Sequence, residues 1–191
     1  MILGKKVRLR AFRDDDLKNC VAWLNNPAVT RYLQSMRPWS VSEERAWLER
    51  IMRNDDPTSV TFVVETSDGE YSGSAGLMHI DPRNRSAEAG IVIGRPEDWG
   101  RGLGTEAMLT LLRHAFEELN LHRVHLRVYA FNERALRSYK KLGFVEEGRQ
   151  REALFRHGAW HDVVSMAILQ PEFFERHGRT DDGAVRDTTQ V

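Results

Sequence analysis

Hydrophobic residues near the N-terminus first alternate with polar residues and then recur at helical spacing. Val7, Leu9 and Ala11 alternate with other side chains, two of them charged, which predicts a first strand. Apolar residues within 17–24 follow at i, i+3, i+4 and i+7, the spacing of one face of a helix. The Asn-Asn-Pro run at 25–27 is expected to stop this helix. The chain therefore begins with a strand followed by a helix.

A second helix is marked by its first residues. Ser40 and Glu43 have the Ser-x-x-Glu spacing of a capping box, in which each side chain binds the other residue's free backbone N–H. Trp47 continues an apolar face, so the helix is predicted to run to about Arg53. The segment 29–39 between the two helices is rich in aromatic and polar side chains and is predicted to be a loop.

The middle of the chain changes to the period of a strand. Residues 60–66, 71–80 and 86–94 form three apolar or alternating runs, and turn sequences at 67–69 and 82–84 separate them. These three runs predict antiparallel strands that are neighbours in one sheet.

The C-terminal half predicts helices and strands in turn. An apolar stripe over Met108–Leu119 indicates an amphipathic helix, 124–130 a strand, and 132–142 a helix that ends at a glycine. A last strand and a hairpin are predicted at 144–148 and 154–169. One mixed sheet with helices on both faces accounts for this order, so the predicted fold class is α/β.

The composition excludes several classes of protein. The 191 residues contain 28 Lys plus Arg against 28 Asp plus Glu, a balance that argues against a nucleic-acid partner. No run approaches the ~20 apolar residues that cross a bilayer, so a cytoplasmic protein without a membrane partner is expected. The single cysteine, Cys20, cannot form a disulfide within the chain, which fits a protein of a reducing compartment. Its side chain is expected to be buried. One domain over 1–178 and a flexible tail over 179–191 are predicted, because the tail has almost no large apolar side chain.

Three alternating glycines precede the long amphipathic helix. Gly100, Gly102 and Gly104 lack the Cβ atoms that would block approach to backbone N–H groups, and the helix end adds a positive partial charge. Arg101 can supply a full charge. The loop is therefore predicted to hold a phosphate, with a plain strand-to-helix turn as the alternative. The P-loop and dinucleotide motifs do not fit, because the former's Gly-Lys-Ser/Thr and the latter's glycine spacing are both missing.

Two motifs together resemble those of a known family. Trp99–Gly104 is similar to the Gln/Arg-x-x-Gly-x-Gly/Ala pyrophosphate loop of the GNAT superfamily of N-acetyltransferases, with Trp99 in place of the Gln or Arg. Asn132–Ala135 followed by Ser138–Phe144 resembles that family's Asn-x-x-Ala/Ser and Tyr-x-Lys-x-Gly-Phe segment. The resemblance extends over about Lys6–Arg176.

The resemblance implies the GNAT fold, a single mixed, mostly antiparallel twisted sheet whose central strands splay apart. Residues 89–94 would part from strand 124–130, and the pantetheine arm of acetyl-CoA would pair in the gap along Ile91, Val92 and Ile93. Acetyl-CoA is then the co-substrate, and no metal is implied. The other residues implied in binding acetyl-CoA are Arg101, Gly102, Leu103, Gly104, Thr105, Asn132 and Tyr139.

Acetyl transfer to an amine needs a neutral amine, stabilisation of charge on the thioester oxygen and a proton for the departing thiolate. By the resemblance Tyr139 is the general acid, since a phenol is protonated at neutral pH; aromatic packing is the alternative. Glu88 is the predicted base, directly or through water, with a solvated or ion-paired carboxylate as the alternative. The oxyanion donor is expected to be a backbone N–H at a bulge near Val92 or Ile93. Asn132 would hold the cofactor arm or cap a helix.

Several interpretations of the acceptor stay open. The chain resembles, about equally, bacterial enzymes that acetylate ribosomal-protein N-termini and spermidine N-acetyltransferases. The loop Thr30–Ser42 contains Arg31 and Arg37 but no carboxylate, which disfavours a polycation. A protein N-terminal or small-molecule amine is therefore predicted, with a polyamine, an amino sugar or a non-catalytic acyl-CoA-binding module as alternatives. A homodimer is also expected, and Trp39 and Trp160 could serve it or border the acceptor cleft.

Overall fold

One mixed sheet of eight strands carries the fold of the described residues, and six α-helices pack against its two faces. The architecture is that of a computed structural model, which describes residues 1–34 and 37–180. The strands are β1 (Ile2–Leu3), β2 (Val7–Arg10), β3 (Val60–Thr66), β4 (Tyr71–Asp81), β5 (Ser86–Ile93), β6 (Arg123–Tyr129), β7 (Val145–Arg156) and β8 (Ala159–Leu169). The helices are α1 (Leu17–Leu24), α2 (Pro27–Thr30), α3 (Val41–Arg53), α4 (Leu103–Arg113), α5 (Glu133–Leu142) and α6 (Gln170–His177).

The order of the strands confirms the predicted mixed sheet. It runs β1-β2-β3-β4-β5-β6-β8-β7, and every neighbouring pair is antiparallel except the parallel pair β5 and β6. The three strands predicted in the middle of the chain, β3, β4 and β5, are consecutive neighbours, as expected for runs joined by tight turns. The one parallel pair lies at the centre of the sheet, where the chain crosses over through α4.

Helix α4 forms the main core with one face of the sheet. Its residues Met108 and Leu111 are fully buried against strand residues such as Leu9 and Leu77. The apolar stripe predicted for this helix is confirmed, and the helix continues into a π-helical turn at His114–Glu118. This packing fixes the first turn of α4 at the end of β5.

Helices α1 and α3 cover the opposite face of β2, β3 and β4. Successive strand residues point to opposite faces, so Val64 joins the core under α4 while Val63 packs against α1 and α3. Arg10 is buried on this second side because two carboxylates bind its guanidinium: both oxygens of Asp16 and one of Glu65 lie 2.8 Å from its nitrogens. The charged positions of the first strand are therefore not an exposed face.

Cys20 lies in this second core, as predicted. Its Sγ is 3.1 Å from the hydroxyl of Tyr71, and burial raises the pKa of the thiol to about 11. Because the thiolate is the reactive form of a cysteine, Cys20 is inert at neutral pH.

Several predicted helix ends are present in detail. The hydroxyl of Ser40 accepts a hydrogen bond from the Glu43 N–H at 3.2 Å, and the Glu43 carboxylate accepts one from the Ser40 N–H at 3.0 Å. Helix α5 ends at Gly143, whose φ of 105° is the left-handed conformation that glycine adopts at low cost. Sequence signals at helix ends were therefore accurate here.

The pattern of apolar residues misses three short elements and misjudges one strand. Strand β1 has two residues, and α6 begins directly where β8 ends, without a turn residue to mark it. Helix α2 begins at the Asn26-Pro27 pair that was expected only to stop α1, because the Asn26 side chain accepts from the Ala28 N–H at 3.0 Å. Strand β7 is one continuous strand where two pieces are predicted. Its polar middle stays in the strand, and the pairing with β8 shifts register there.

The first residues of the predicted tail contact the domain. The Thr180 hydroxyl donates to Glu117 at 2.7 Å, and the Arg179 guanidinium lies 4.1 Å from the ring centroid of Phe174. The remainder of the predicted tail, 181–191, lies outside the described residues. Among the helices of the described residues, none has the length and apolar character needed to cross a membrane.

Gly73 in β4 sets how closely β4 approaches β5. A Cβ atom on Gly73 would lie 2.0 Å from the carbonyl oxygen of Val92. Gly73→Ala is therefore expected to lower the free energy of unfolding by about 2 kcal/mol or more, as overpacked interiors do. Gly148→Ala is the matched control, because nothing lies within 4 Å of its Cβ position. Urea denaturation measures both, and equal effects would contradict the close contact of the two strands.

Candidate active site

The central parallel strands part after three residue pairs. β5 and β6 pair at Ser86 with Arg123, at Ala87 with Val124 and at Glu88 with His125, and neither strand's remaining residues pair with the other. The predicted splayed pair is therefore confirmed. The parting opens a cleft of about 770 Å³ between β5, β6, the first turn of α4 and one face of α5. All the predicted site residues line this cleft except Arg101.

The backbone of β5 presents unpaired polar groups to this cleft. The carbonyl of Val92 points at β4, where it would meet a Cβ atom on Gly73. The N–H and C=O groups of one strand residue point to the same side, and the side alternates from residue to residue. Those of Ile91 and Ile93 therefore point away from β4, into the gap. Pairing with β4 is regular from Glu88 through Ile93, so the expected bulge does not lie at Val92 or Ile93. The pairing becomes irregular directly after Ile93, where the N–H groups of Gly94 and Arg95 both donate to the carbonyl of Ser72, at 2.9 and 3.4 Å.

Trp99 closes the far end of the gap. Its Nε1 donates to the carbonyl oxygen of Ile93 at 2.8 Å, and the guanidinium of Arg134 lies 4.3 Å from its ring centroid. The residue that departs from the family motif therefore satisfies one of the unpaired groups of β5. Its ring also fixes the start of the glycine loop against the strand.

The glycine loop has the geometry of an open anion site. Gly100 and Gly102 have φ values of 79° and 82°, and apart from their chain neighbours no described residue has an atom within 4 Å of the Cβ position of either. Gly102 is the N-cap of α4 and offers no side-chain cap, so the N–H groups of the first turn, Leu103 to Thr105, face the cleft without an intrahelical partner. Gly104 lies against the side chain of Ile93, with its Cβ position 3.3 Å from Cγ1.

Arg101 does not line the cleft. Its Nη1 donates to Asp98 at 2.6 Å, and Asp98 is buried and also accepts from the hydroxyl of Ser72 at 2.7 Å. Arg101 thus anchors the glycine loop to a buried acid. The cations that line the cleft beside the glycine loop come from α5 instead; they are Arg134, Arg137 and Lys141.

Sequence reasoning missed these cations, although a signal for them exists. Arg134, Arg137, Ser138 and Lys141 recur at i, i+3, i+4 and i+7, which is one face of α5. Ser138 on this face also contacts the loop, since its Oγ lies 2.7 Å from that of Thr105. The apolar residues of the same helix face the core, so the polar face must point to the cleft.

Tyr139 and Asn132 lie on the α5 side of the cleft. Among the described residues the Tyr139 hydroxyl has no hydrogen-bond partner, and burial raises its pKa to about 12. Its ring packs on Phe144 with centroids 5.6 Å apart. The Asn132 side chain accepts from the Ala135 N–H at 3.3 Å and caps α5. Tyr139 can therefore donate a proton into the cleft, while Asn132 has a structural role whether or not it touches a ligand.

Glu88 lies at the point where the strands part. One carboxylate oxygen accepts from Arg127 Nε at 3.1 Å, and the other lies 3.3 Å from His79 Nδ1. The side chain is 14% exposed and lines the cleft. The ion-paired alternative for Glu88 thus describes its contacts in the structure, and the same residue also lines the cleft.

The turn after α2 and strand β7 line the cleft mainly with uncharged side chains. Tyr32 and Leu33, from the turn after α2, line the cleft together with Leu154 of β7. Arg156 holds this turn by donating to the carbonyl oxygens of Thr30 and Leu33 at 2.8 and 2.9 Å. Neither of the tryptophans considered for this region of the sequence, at 39 and 160, lines the cleft. The described residues contain no group of three or more His, Cys, Asp or Glu side chains that could hold a metal ion.

Comparisons with known proteins agree with this geometry. The sequence model of the acetyltransferase (GNAT) domain family matches residues 6–145. A spermidine N(1)-acetyltransferase of Escherichia coli K12 is 32% identical over 188 residues, covering 96% of this chain and 97% of that protein. A Bacillus subtilis protein whose assigned name suggests ribosomal N-acetyltransferase activity is 38% identical over 106 residues, 56% of this chain and 57% of its own length.

A solved structure extends the agreement from sequence to fold. The crystal structure of a spermidine N-acetyltransferase from Vibrio cholerae in complex with CoA and spermine superimposes with a TM-score of 0.81 at 31% identity, covering 90% of this chain and 99% of that one. The family model covers well over half of the residues, and the parted strands, the glycine loop and the α5 tyrosine all lie inside its range. The chain therefore belongs to the GNAT acetyltransferase family and is an N-acetyltransferase by class.

Proposed function

We propose that this enzyme transfers the acetyl group of acetyl-CoA directly to a primary amine, with both substrates bound in the cleft between β5 and β6. The observation that carries the proposal is the parting of these strands after Glu88. Within the described part of the chain it leaves unpaired backbone groups along β5, next to a helix end without a side-chain cap and a phenol without a hydrogen-bond partner. A central strand pair that opens in this way loses hydrogen bonds, and a ligand with amide groups can replace them.

Each part of acetyl-CoA has a counterpart among the lining residues. The gap-facing N–H and C=O groups of Ile91 and the N–H of Ile93, whose carbonyl Trp99 binds, suit the two amides of the pantetheine arm, which would pair as an added strand does. The first-turn N–H groups at Leu103, Gly104 and Thr105 suit the diphosphate, because a helix N-terminus carries positive partial charge. The cationic face of α5 lies beside them and suits the remaining phosphate charge.

The side chains at the centre of the cleft can balance the protons of the reaction. Glu88 accepts a proton from the acceptor ammonium, so that the neutral nitrogen forms a bond to the acyl carbon. Negative charge that develops on the carbonyl oxygen meets gap-facing N–H groups of β5. The carbon–sulfur bond then breaks, and the Tyr139 hydroxyl gives its proton to sulfur. The nitrogen becomes positively charged when it bonds to carbon, and it loses its second proton to solvent as the amide forms. Solvent also takes the proton from Glu88 and returns one to Tyr139, so that one proton is released overall.

The acceptor is proposed to be a protein N-terminal or small-molecule amine. The described lining side chains of the turn after α2 and of β7 carry no charge, and the guanidiniums of Arg31 and Arg134 lie 5.1 and 5.7 Å from the ring centroid of Tyr32. A polycation needs carboxylates to neutralise it instead. A polyamine is the second candidate, because the E. coli and V. cholerae relatives that match nearly the whole chain are spermidine N-acetyltransferases. An acceptor panel of spermidine, a short peptide with a free N-terminus and an aminoglycoside separates the two candidates.

The phenol of Tyr139 should be needed for turnover but not for binding the cofactor. Tyr139→Phe is expected to lower kcat roughly 100-fold, with little change in the KM for acetyl-CoA, because it removes only the proton donor. The pKa of about 12 keeps wild-type Tyr139 protonated, so its ionisation should cause no loss of rate below about pH 10. Release of CoA thiol with the acceptor panel measures both effects, and Tyr71→Phe in the second core is the control. If no amine gives turnover while acetyl-CoA binds, a non-catalytic acyl-CoA-binding module is favoured instead.

The open glycine loop should be sensitive to added negative charge. Gly102→Asp is expected to weaken acetyl-CoA binding at least tenfold, because the carboxylate would face the diphosphate at the uncapped helix end. Gly158→Asp is the matched control, since Gly158 has a similar φ of 77° and nothing within 4 Å of its Cβ position, but lies in the β7–β8 turn. Calorimetric titration with acetyl-CoA measures both variants. Equal affinities would place the cofactor elsewhere.

Glu88 should matter most where the acceptor amine is protonated. Glu88→Gln is expected to lower kcat/KM for an amine of pKa near 8 by roughly tenfold or more at pH 7, and by progressively less above pH 8, where the amine is already neutral. Glu147→Gln is the control, because Glu147 is also paired with an arginine of β6, at 2.5 Å, but does not line the cleft. A mutant-to-wild-type ratio that stays constant across pH would remove Glu88 as the base.

A further inference from the structure

Arg127 lies beside Glu88 but uses only one of its nitrogens there. Its Nε donates to Glu88 Oε1 at 3.1 Å, and its side chain lines the cleft and is 49% exposed. A guanidinium also carries donors on both terminal nitrogens. Within residues 1–34 and 37–180 those two nitrogens have no hydrogen-bond partner. A planar pair of donors is therefore presented directly next to the carboxylate that is proposed to take the amine proton.

The other charged groups of the cleft leave no acid for a second ammonium group. Among the described lining residues the carboxylates are Glu88 and Asp98. Asp98 is buried and is paired with Arg95 at 3.6 Å and Arg101 at 2.6 Å, so it is already neutralised. The lining cations are Arg127, Arg134, Arg137 and Lys141. An acceptor with several positive charges would therefore meet more positive than negative charge.

We infer that Arg127 binds an oxygen of the acceptor, on the carbon next to the one that bears the amine. The acceptor is then an α-aminoacyl compound, either a free α-amino acid or the N-terminus of a peptide. In such a compound the ammonium group and the carbonyl or carboxylate carbon are attached to the same carbon atom. In the cleft the Glu88 carboxylate and the Arg127 guanidinium are likewise direct neighbours, joined by one hydrogen bond. The acceptor's positive end faces the carboxylate, and its oxygen faces the guanidinium. The inference rests on the proposed role of Glu88.

The reactivity of the amine agrees with this pairing. An α-amine has a pKa near 8, whereas an alkyl amine has one near 10.4 and is far more completely protonated at neutral pH. Less deprotonation by Glu88 is therefore needed for an α-amine than for an alkyl amine. The positive charge of Arg127 further opposes a second ammonium group at the same place.

The test compares Arg127→Gln with wild type on two amines that differ only in the carbonyl group. Leucinamide carries it, and isoamylamine is the same molecule without the carboxamide. The loss in kcat/KM for leucinamide is expected to exceed the loss for isoamylamine by roughly 10- to 100-fold, the effect of one hydrogen bond to a charged group. Each ratio compares one amine with itself, so the different protonation of the two amines cancels. A loss shared by both amines reports the disturbed Glu88.

Two further variants separate recognition from structure. Arg127→Lys keeps the charge but not the planar donor pair, so part of the leucinamide rate should return. Arg149→Gln is the matched control, because Arg149 is also about half exposed and paired with a carboxylate, Asp162, at 3.4 Å, but does not line the cleft. Both amines should react with it as with wild type. Thermal melting of each variant confirms that it is folded.

Four results would overturn the inference or distinguish its failure from that of the proposed function. Equal losses of leucinamide and isoamylamine in Arg127→Gln would overturn it, as would wild-type preference for spermidine at equal concentrations of neutral amine. If spermidine is preferred and Tyr139→Phe abolishes acetylation of both spermidine and leucinamide, the proposed acetyl transfer stands and only the acceptor class is wrong. If wild type binds acetyl-CoA but acetylates no probe, both proposals are wrong.

Free leucine and a tripeptide that begins with leucine divide the two sources of the α-aminoacyl group. A carboxylate on Arg127 predicts that free leucine is the better substrate, whereas an amide carbonyl predicts the tripeptide. Either preference supports the shared chemistry, provided that Arg127→Gln reduces it more than it reduces the isoamylamine reaction.

Discussion

The loss of pairing between β5 and β6 is the constraint on which the rest of the structure depends. A parallel pair buried at the centre of a sheet would normally continue its hydrogen bonds along its full length. Here it stops at Glu88, so the polar backbone beyond that residue needs other partners. The glycine loop, the polar face of α5 and the turn after α2 all line the cleft that this interruption opens.

The structure holds the parted strand in place from its other edge. β5 stays in regular antiparallel register with β4 through Ile93, and Gly73 allows the two strands to approach more closely than a side chain would permit. At the end of β5 the Trp99 indole satisfies the Ile93 carbonyl, and the helix that follows is anchored through buried Asp98. The strand is thus rigid on one side and open on the other, which is the arrangement that a bound extended ligand requires.

Much of the fold could be predicted because local signals were strong. The alternation in β3 to β5, the Ser40 capping box and the terminal Gly143 each act within a few residues of one another, and each is present in the structure. What the sequence could not indicate depends on distant partners. Arg10 looks exposed by its alternation, but Asp16 and Glu65 bury it.

The candidate site was predictable to a similar degree. The motif segments identified the residues of β5, the glycine loop and α5 that line the cleft, since their order along the chain follows the family pattern. Arg101 lies outside the cleft because its charge is taken by Asp98, which only the fold brings beside it. Arg127 carries no motif and sits on a strand predicted only for its period. Its position beside Glu88 depends on the register of β5 and β6.

The isolation of Cys20 has a practical consequence for the biochemistry of this enzyme. Cys20 is the single cysteine of the chain, it lies in the core away from the cleft, and its thiol stays protonated. Colorimetric reagents that detect sulfur react with thiolates, so on the native enzyme they would register the liberated coenzyme and leave the polypeptide unlabelled. The rate at which the same reagent slowly labels Cys20 would then measure the rate or extent of unfolding of the core.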